Sequence, residues 1–324
     1  MKGNIISENG VRGIGIQSFA GSITGNNIIE NGLYAIENES TYDVSAEANW
    51  WGKGDIERKI YDKSDDQARG AVVTLNAMEE PIRFLWPVKN IRSDITWRNT
   101  VIVKDHVETY SGATLKILPG TNVMFSEGAG MRITESKILA IGKKDKRILF
   151  TSSEEGGNKW DEILLEHADG SIFSYCDFEY ANWALHSHFT NLRIDNSIFR
   201  KNNGGMRFRS GPINIAGSLF TQNRIGVRAF RANAMITENT FKNNQIGVFI
   251  REKGGGLTLR NNNIYSNKDY NIRVGDFDKE DVDARENWWG TLNPAETLFD
   301  GRIEPGVGKV IFEPFYKEML IIER

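Results

Sequence analysis

The sequence predicts an all-β fold in which the chain winds into a parallel β-helix with coils of about 21–23 residues. A four-residue motif ending in asparagine recurs through the second half of the chain, and its asparagines are 21, 21 and 23 residues apart. The copies lie at 199–202, 220–223, 241–244 and 264–267, with two earlier copies at 6–9 and 28–31. A repeat of this length is typical of a solenoid, in which equivalent positions of successive coils lie above one another.

Each repeat alternates apolar and polar residues, which predicts strands rather than helices. Leu192 and Ile194 flank Arg193, and the same alternation returns at 213–215 and 234–236. Glycines 204, 205, 226 and 247 stand between the apolar runs, where the chain must turn. The sequence lacks the L-x-x-L-x-L frame of a leucine-rich repeat, and helical repeats are longer than this step.

Stacked coils would bring the residues of the motif into columns. We expect the asparagine amides to hydrogen-bond from one coil to the next, as in other in-register ladders. We also expect Phe199, Phe220 and Phe241 to stack inside the helix. The alternative is that asparagine only tolerates the left-handed backbone of a turn. Either interpretation gives these columns a structural role.

Composition excludes several classes of function. The 324 residues carry a formal charge of −3 without a continuous basic segment, so nucleic-acid binding is not expected. No run of apolar residues is long enough to predict a transmembrane helix. Cys176 is the single cysteine, so no internal disulfide is possible, and zinc or haem motifs are missing.

The first residues contain no apolar signal core and begin inside a repeat. This suggests a fragment or a missed upstream start. An open first coil also presents an unpaired edge, from which we expect end-to-end self-association.

A larger duplication divides the chain. Asn-Trp-Trp-Gly occurs at 49–52 and again at 287–290, and the residues after each copy match loosely. We therefore expect the last coils and cap of one β-helix unit at 1–88, and a complete second unit at 89–324 with its own end strands. The tryptophan pairs would cover the last apolar layer of each unit. The alternative is that each pair forms a platform for a sugar.

The ends of the second unit carry specific motifs. Residues 96–103 and 112–121 read T-W…V-I-V and G-A-T-L-K-I-L-P-G-T, and 287–314 read N-W-W-G…D-G…G-K-V-I-F-E-P. These resemble the right-handed parallel β-helix repeat proteins of the pectin-lyase-like superfamily, especially its secreted or surface bacterial members. The resemblance implies a right-handed fold. It leaves function open, because the superfamily includes lyases, glycosidases, epimerases, a copper-site maturation factor and members without known activity.

One predicted strand presents two columns of residues on its outer face. If Leu185, Val227 and Val248 point inward, their neighbours point outward. The first column contains His186, Arg207, Arg228 and Phe249; the second contains His188, Arg209, Phe230 and Arg251, and we expect Arg273 to extend it. Guanidinium groups match carboxylates and sulfates, and rings accept the apolar face of a sugar, so these nine residues predict a glycan-binding face. The alternative is a solvated basic face balanced by acidic residues on neighbouring loops.

Catalysis would require further groups on that face. A polysaccharide lyase needs a cation that neutralises the uronate carboxylate, a base and an acid. Arg207 or Arg209 would suit the first role and His186 or His188 the second, but no acid is evident. A glycosidase needs two carboxylates across a cleft, and the columns offer carboxylates only in poor register. We therefore assign no catalytic residue.

Two patterns raise the question of a metal. Carboxylates alternate along a loop before the second tryptophan pair, at Asp276, Asp278, Asp281 and Asp283. Such oxygen ligands suit calcium, but the loop lacks the glycine and the final glutamate of an EF-hand, so a solvated acidic loop is the alternative. His186 and His188 have a spacing that suits copper or zinc, without a third ligand in view. We assign no cofactor.

Together these patterns predict a non-catalytic module located outside the cell, on its surface or in the periplasm. Its expected partner is an acidic polysaccharide or a component of the cell envelope. Two alternatives stay open. One is a polysaccharide lyase or epimerase that acts on uronate-containing glycans, and the other is a structural spacer of a larger surface protein.

Overall fold

The computed structural model describes residues 1–110, 112–153, 159–230, 233–252, 256–275 and 277–323. Short strands make up almost all of its regular structure, and the strands that neighbour each other in each sheet run parallel. Two 3₁₀ helices, Glu57–Lys59 and Pro294–Thr297, interrupt this pattern. The chain divides into two compact units, one built on Met1–Leu85 and the other on most of the chain from Trp86 onward.

The strands of the first unit form three small parallel sheets, β1-β3, β2-β4-β6 and β5-β7. Their bounds are β1 Ile5–Ser7, β2 Arg12–Ile16, β3 Asn27–Ile29, β4 Tyr34–Asn38, β5 Val44–Ser45, β6 Ile60–Tyr61 and β7 Val72–Val73, followed by β8 Phe84–Leu85.

The second unit continues the same winding over many more coils. Its strands are β9 Asn90–Ile91, β10 Ile95–Trp97, β11 Thr100–Val103, β12 His106–Thr109, β13 Thr114–Ile117, β14 Asn122–Phe125, β15 Gly130–Thr134, β16 Lys137–Ile141, β17 Ile148–Ser152, β18 Trp160–Glu166, β19 Ser171–Ser174, β20 Cys176–Glu179, β21 Ala181–His188, β22 Leu192–Asp195, β23 Ile198–Arg200, β24 Gly204–Arg209, β25 Ile213–Ala216, β26 Leu219–Thr221, β27 Ile225–Phe230, β28 Ala234–Thr237, β29 Thr240–Lys242, β30 Ile246–Arg251, β31 Leu257–Arg260, β32 Asn263–Tyr265, β33 Tyr270–Gly275, β34 Val282–Asp283, β35 Leu298–Phe299 and β36 Val310–Ile311.

Every third strand of this unit belongs to the same sheet, so each coil contributes one strand to each of three sheets. The first sheet runs β10-β13-β16-β19-β22-β25-β28-β31-β34-β36. The second includes β11-β14-β17-β20-β23-β26-β29-β32, and the third runs β9-β12-β15-β18-β21-β24-β27-β30-β33-β35. This order is that of a parallel β-helix, as the 21-residue repeat predicts.

The predicted amide ladder is confirmed. The Asn202 amide donates to Asn223 Oδ1 at 3.0 Å, Asn223 to Asn244 at 3.0 Å and Asn244 to Asn267 at 2.9 Å. Each of these acceptor oxygens also receives the backbone N–H of the asparagine below it, as Asn223 Oδ1 does from Asn202 at 3.1 Å. The ladder therefore satisfies main-chain donors at a turn that is buried and out of reach of water.

The predicted phenylalanine stack is also confirmed and is longer than expected. The rings of Phe199 and Phe220 lie 4.6 Å apart at 3°, and Phe220 and Phe241 lie 4.8 Å apart at 9°. The stack continues to Phe178 and Phe150, at 4.6 and 4.8 Å. All five side chains are fully buried, so one aromatic column fills part of the core along successive coils.

The duplicated motif has the same structure in both units. Trp51 and Trp289 are buried, which fits the role of covering an apolar layer and not that of a sugar platform. The aspartate after each motif makes the same contact, because Asp62 Oδ2 accepts the N–H of Val72 and Asp300 Oδ2 that of Val310, at 2.6 and 2.8 Å. Both copies therefore end their units in the same way.

We predict that Asn223→Ala lowers the free energy of unfolding by about 1–3 kcal/mol, because it leaves buried donors of Asn202 without an acceptor. Asn214 lies exposed on β25, so Asn214→Ala is a matched control that we expect to change stability by less than about 0.5 kcal/mol. Urea unfolding of the three proteins measures both values. Equal losses in the two variants would show that the ladder adds nothing to stability.

Candidate functional site: an outer face of the third sheet

Strands β21, β24, β27, β30 and β33 place the predicted columns side by side on the third sheet. Their register pairs His186 with Arg207, Arg207 with Arg228, and Arg228 with Phe249. It also pairs His188 with Arg209, Arg209 with Phe230, and Phe230 with Arg251. The vertical alignment of both columns is therefore confirmed. We call the following set the arginine-rich face: His186, His188, Arg207, Arg209, Arg228, Phe230, Phe249, Arg251 and Arg273.

Alternation along each strand explains why these side chains face outward. Leu185, Val227 and Val248 are completely buried, as expected for the inward positions. The histidines and arginines between them are half-buried.

Arg273 occupies a different position from the predicted one. Its partner on β30 is Phe249, so it extends the first column, and Gly275 continues the second beside Arg251. The expectation that Arg273 extends the second column was wrong because the last coil is longer. Phe249 and Arg273 are 24 residues apart in the sequence, and the 21-residue step does not hold there.

Aromatic rings lie between the arginines of each column. The ring of Phe230 has the guanidinium carbon of Arg209 at 5.0 Å on one side and that of Arg251 at 5.7 Å on the other. Phe249 has Arg228 at 5.8 Å and Arg273 at 5.3 Å in the same way. A cation over a ring is attracted by its quadrupole, so this order reduces the repulsion that stacked like charges would cause.

This arrangement changes the role of the rings. Phe249 is only 9% exposed and packs with Trp183, Ile225 and Ile246. Guanidinium groups already cover the faces of Phe230 and Phe249. The expectation that these rings accept the flat face of a sugar is therefore not supported, and the rings act as spacers that fix the positions of the arginines.

A carboxylate that the sequence did not indicate closes one end of the face. Glu162 on β18 accepts a hydrogen bond from Arg207 Nη2 at 2.7 Å, and its other oxygen lies 3.0 Å from His186 Nδ1. A β-bulge between Glu162 and Ile163 shifts the register, so Glu162 and His186 are 24 residues apart. A search at the 21-residue step misses this pair for that reason.

The ionisation of this cluster follows from its contacts. Burial opposes the charge of Glu162, but hydrogen bonds from His186 and Arg207 outweigh it and hold the pKa of the carboxyl below its usual value. Burial, together with the neighbouring His186, lowers the pKa of His188, so its imidazole is neutral at neutral pH. The two imidazole rings are 4.3 Å apart, edge to face. The cluster therefore holds one ionised carboxylate next to a neutral, accessible imidazole.

The other arginines of the face have no such partner. Within the residues that the structure describes, no carboxylate forms a salt bridge with Arg209, Arg228 or Arg273. The Nε–H groups of Arg209 and Arg273 are buried and lack an acceptor there. A cleft of ≈ 200 Å³ opens between the two columns, lined by residues that run from His186 to Arg251. The face therefore combines a concave surface with an excess of positive charge.

The predicted acidic loop gives little support for a metal. Asp276 lies outside the described residues, so the four-carboxylate calcium loop stays a prediction. Asp281 accepts the backbone N–H of Lys309 at 2.8 Å, and Asp283 pairs with Arg260 and Arg285. Among the described residues, no three His, Cys, Asp or Glu side chains gather as they would around a metal ion.

Acid should reveal the role of Glu162. Because its folded-state pKa is depressed, its ionisation stabilises the fold above the ordinary value of 4.5, and this contribution is lost as the pH falls below that value. We predict that Glu162→Gln loses less free energy of unfolding than the wild type between about pH 6 and pH 3. The control is Glu166→Gln on the same strand, which faces Arg132 at 3.6 Å and should keep the wild-type pH dependence. Identical acid profiles for all three proteins would contradict the assignment.

In the part of the chain that the structure describes, no helix has the length and apolar character needed to cross a bilayer. Comparison with family models matches residues 136–288 to the right-handed β-helix region. That stretch includes all five strands of the arginine-rich face. Searches of curated proteins and of solved structures found no match. The chain is a right-handed parallel β-helix repeat protein, which is consistent with its resemblance to the pectin-lyase-like superfamily.

Proposed function

We propose that this protein is a non-catalytic β-helix module that binds an acidic polysaccharide along the arginine-rich face, outside the cytoplasm. One observation carries the proposal: Arg209, Arg228 and Arg273 lie on one outer surface without a carboxylate partner among the described residues. Keeping unpaired guanidinium groups half-buried is unfavourable unless an anion from outside completes the site.

The geometry suits carboxylate or sulfate groups. Ring stacking fixes each guanidinium by one face and leaves its terminal N–H groups as donors. A planar fork of such donors binds both oxygens of a carboxylate or two of a sulfate. The cleft of ≈ 200 Å³ provides a concave surface in which a sugar ring would lose part of its hydration shell.

The length of the face suits a polymer. The columns cross five adjacent coils, from β21 to β33, which at a strand spacing of about 4.8 Å spans roughly 20 Å. Several sugar units fit within that distance. Repeated contacts along one chain would add their free energies, so single contacts of modest strength are sufficient.

A second candidate rests on the cluster at the end of the face. Glu162 orients His186, and the neutral His188 lies next to it, as a general base would. In β-elimination on a uronate, His188 would take the C5 proton and the C4–O bond would break. A C4=C5 double bond would form, and the leaving oxygen would take up a proton. Arg209, beside His188, would neutralise the carboxylate of the same sugar.

Binding should depend on salt and on the unpaired arginines. We predict that polyuronates or sulfated glycans bind the wild type at low salt and are released at about 0.5 M salt, because screening weakens ionic contacts. Arg209→Ala with Arg228→Ala should reduce affinity about tenfold or more, since two charge-assisted hydrogen-bonding groups are lost. Biolayer interferometry on a glycan panel measures both effects.

The control variant is Arg193→Ala, because Arg193 is exposed on β22 and already pairs with Asp195 at 2.6 Å. It removes one positive charge from another sheet of the same unit and should leave affinity unchanged. Absence of salt-sensitive binding to every acidic glycan would end the proposal and favour a structural spacer. An equal loss in both variants would reduce the effect to general charge.

The lyase candidate makes a separate prediction. A lyase produces a conjugated unsaturated uronate, whose ultraviolet absorbance rises with time, and His188→Ala should abolish that rise while binding to the same polymer persists. Absorbance is followed over a panel of polyuronates with wild type and variant. No increase with any polymer would exclude the class.

A further inference from the structure

The arginines of the face follow a regular zigzag. Each of four successive coils carries one guanidinium that Glu162 does not hold, and these guanidiniums alternate between the two columns. In order they are Arg209 in the second column, Arg228 in the first, Arg251 in the second and Arg273 in the first. The preceding guanidinium on the first column, that of Arg207, is already bound by Glu162.

Rings fill the opposite positions of the two middle coils. Arg228 shares its coil with Phe230, and Arg251 shares its coil with Phe249. The cation–ring contacts described above hold each guanidinium between neighbours of its own column. The alternation is therefore built into the packing and does not depend on chance orientations of exposed side chains.

The spacing of this pattern has two components. Successive cations are one coil apart along the helix axis, about 4.8 Å, and cations of the same column recur every second coil, at about 10 Å. The columns are two residues apart along each strand, so they are separated by roughly 7 Å. The site therefore presents one positive charge per coil on alternating sides of a central line.

We infer that the ligand is an extended, two-fold ribbon of 1,4-linked uronic acids that lies along the helix axis with one sugar on each coil. In such a ribbon each sugar is turned over relative to its neighbour, so successive carboxylates project to alternate sides. The rise per sugar of a diequatorially linked chain is close to the coil spacing. This inference rests on the proposed function and adds the linkage geometry and register of the ligand.

Other acidic polymers match the zigzag less well. A polymer with a carboxylate on every second sugar would place all of them on one side and engage a single column. A diaxially linked polyuronate has the same charge per sugar, but its rise is shorter and its outline is buckled, so it would fall out of register after one or two coils. Charge density alone therefore does not distinguish these ligands, whereas geometry does.

The test uses oligosaccharides of defined length with the wild-type protein. For β-1,4-linked oligomannuronates of two to six sugars, we expect affinity to rise with each sugar up to four and then to level off, because four coils carry the zigzag. The tetramer of α-1,4-linked guluronate, with equal charge and diaxial linkages, should bind at least tenfold more weakly. Isothermal titration calorimetry at low salt gives each affinity.

A charge-matched variant tests the pattern itself. Arg228→Phe combined with Phe230→Arg exchanges the two residues on one coil and preserves composition, net charge and the number of rings. It places three cations in the second column and breaks the alternation. We expect at least a tenfold loss of affinity for the mannuronate tetramer and less than a threefold change for heparin, a flexible polyanion. A thermal melt verifies folding, and if the variant does not fold, the oligomer series in the wild type decides.

The outcomes separate the inference from the proposed function. Equal binding of the mannuronate and guluronate tetramers, or an affinity that keeps rising to six sugars, would overturn the ribbon register and leave acidic-glycan binding in place. Failure of every acidic oligosaccharide and polymer to bind would overturn both. A plateau at four sugars with the expected linkage preference would support the inference.

Discussion

The in-register stacking of coils is the constraint on which the rest of this structure depends. Each strand receives its main-chain hydrogen bonds from the coils above and below, so a residue has the same type of position as residues one repeat away. The asparagine ladder reinforces this register at a turn, where Asn223 satisfies both the backbone and the side chain of Asn202. A side chain that suits one coil is therefore multiplied into a column, whether it is apolar, polar or charged.

Columns favour apolar and amide side chains but penalise charged ones. Phenylalanines stack with a gain in contact, whereas arginines about 4.8 Å apart repel one another. The third sheet resolves this conflict in two ways: Glu162 neutralises Arg207, and rings separate the arginines that follow. The resulting alternation is a consequence of stacking, and it also determines where an external anion would find donors.

The sequence predicted what depends on a constant repeat. The fold, the asparagine ladder, the phenylalanine stack and the alignment of His188 with Arg209 all follow from one 21-residue step. What it missed lies where the step changes. Glu162 escaped because a bulge shifts β18, and Arg273 was placed in the wrong column because its coil is longer. The spacer role of Phe249 needed the third dimension, since periodicity gives the register of a column and not the tilt of its side chains.

Comparison between the sheets argues that the charge of the third sheet has a function beyond folding. On the first and second sheets, arginines of the same unit pair with carboxylates on nearby positions, as Arg147 does with Asp177 at 2.6 Å and Arg260 with Asp283 at 2.5 Å. The fold therefore has a simple way to balance an arginine within a column or its neighbour. Arg209 and Arg228 are not balanced in this way among the described residues, although their coils are equally regular. Because stability alone would favour pairing, the exception is best explained by a ligand that supplies the missing anion.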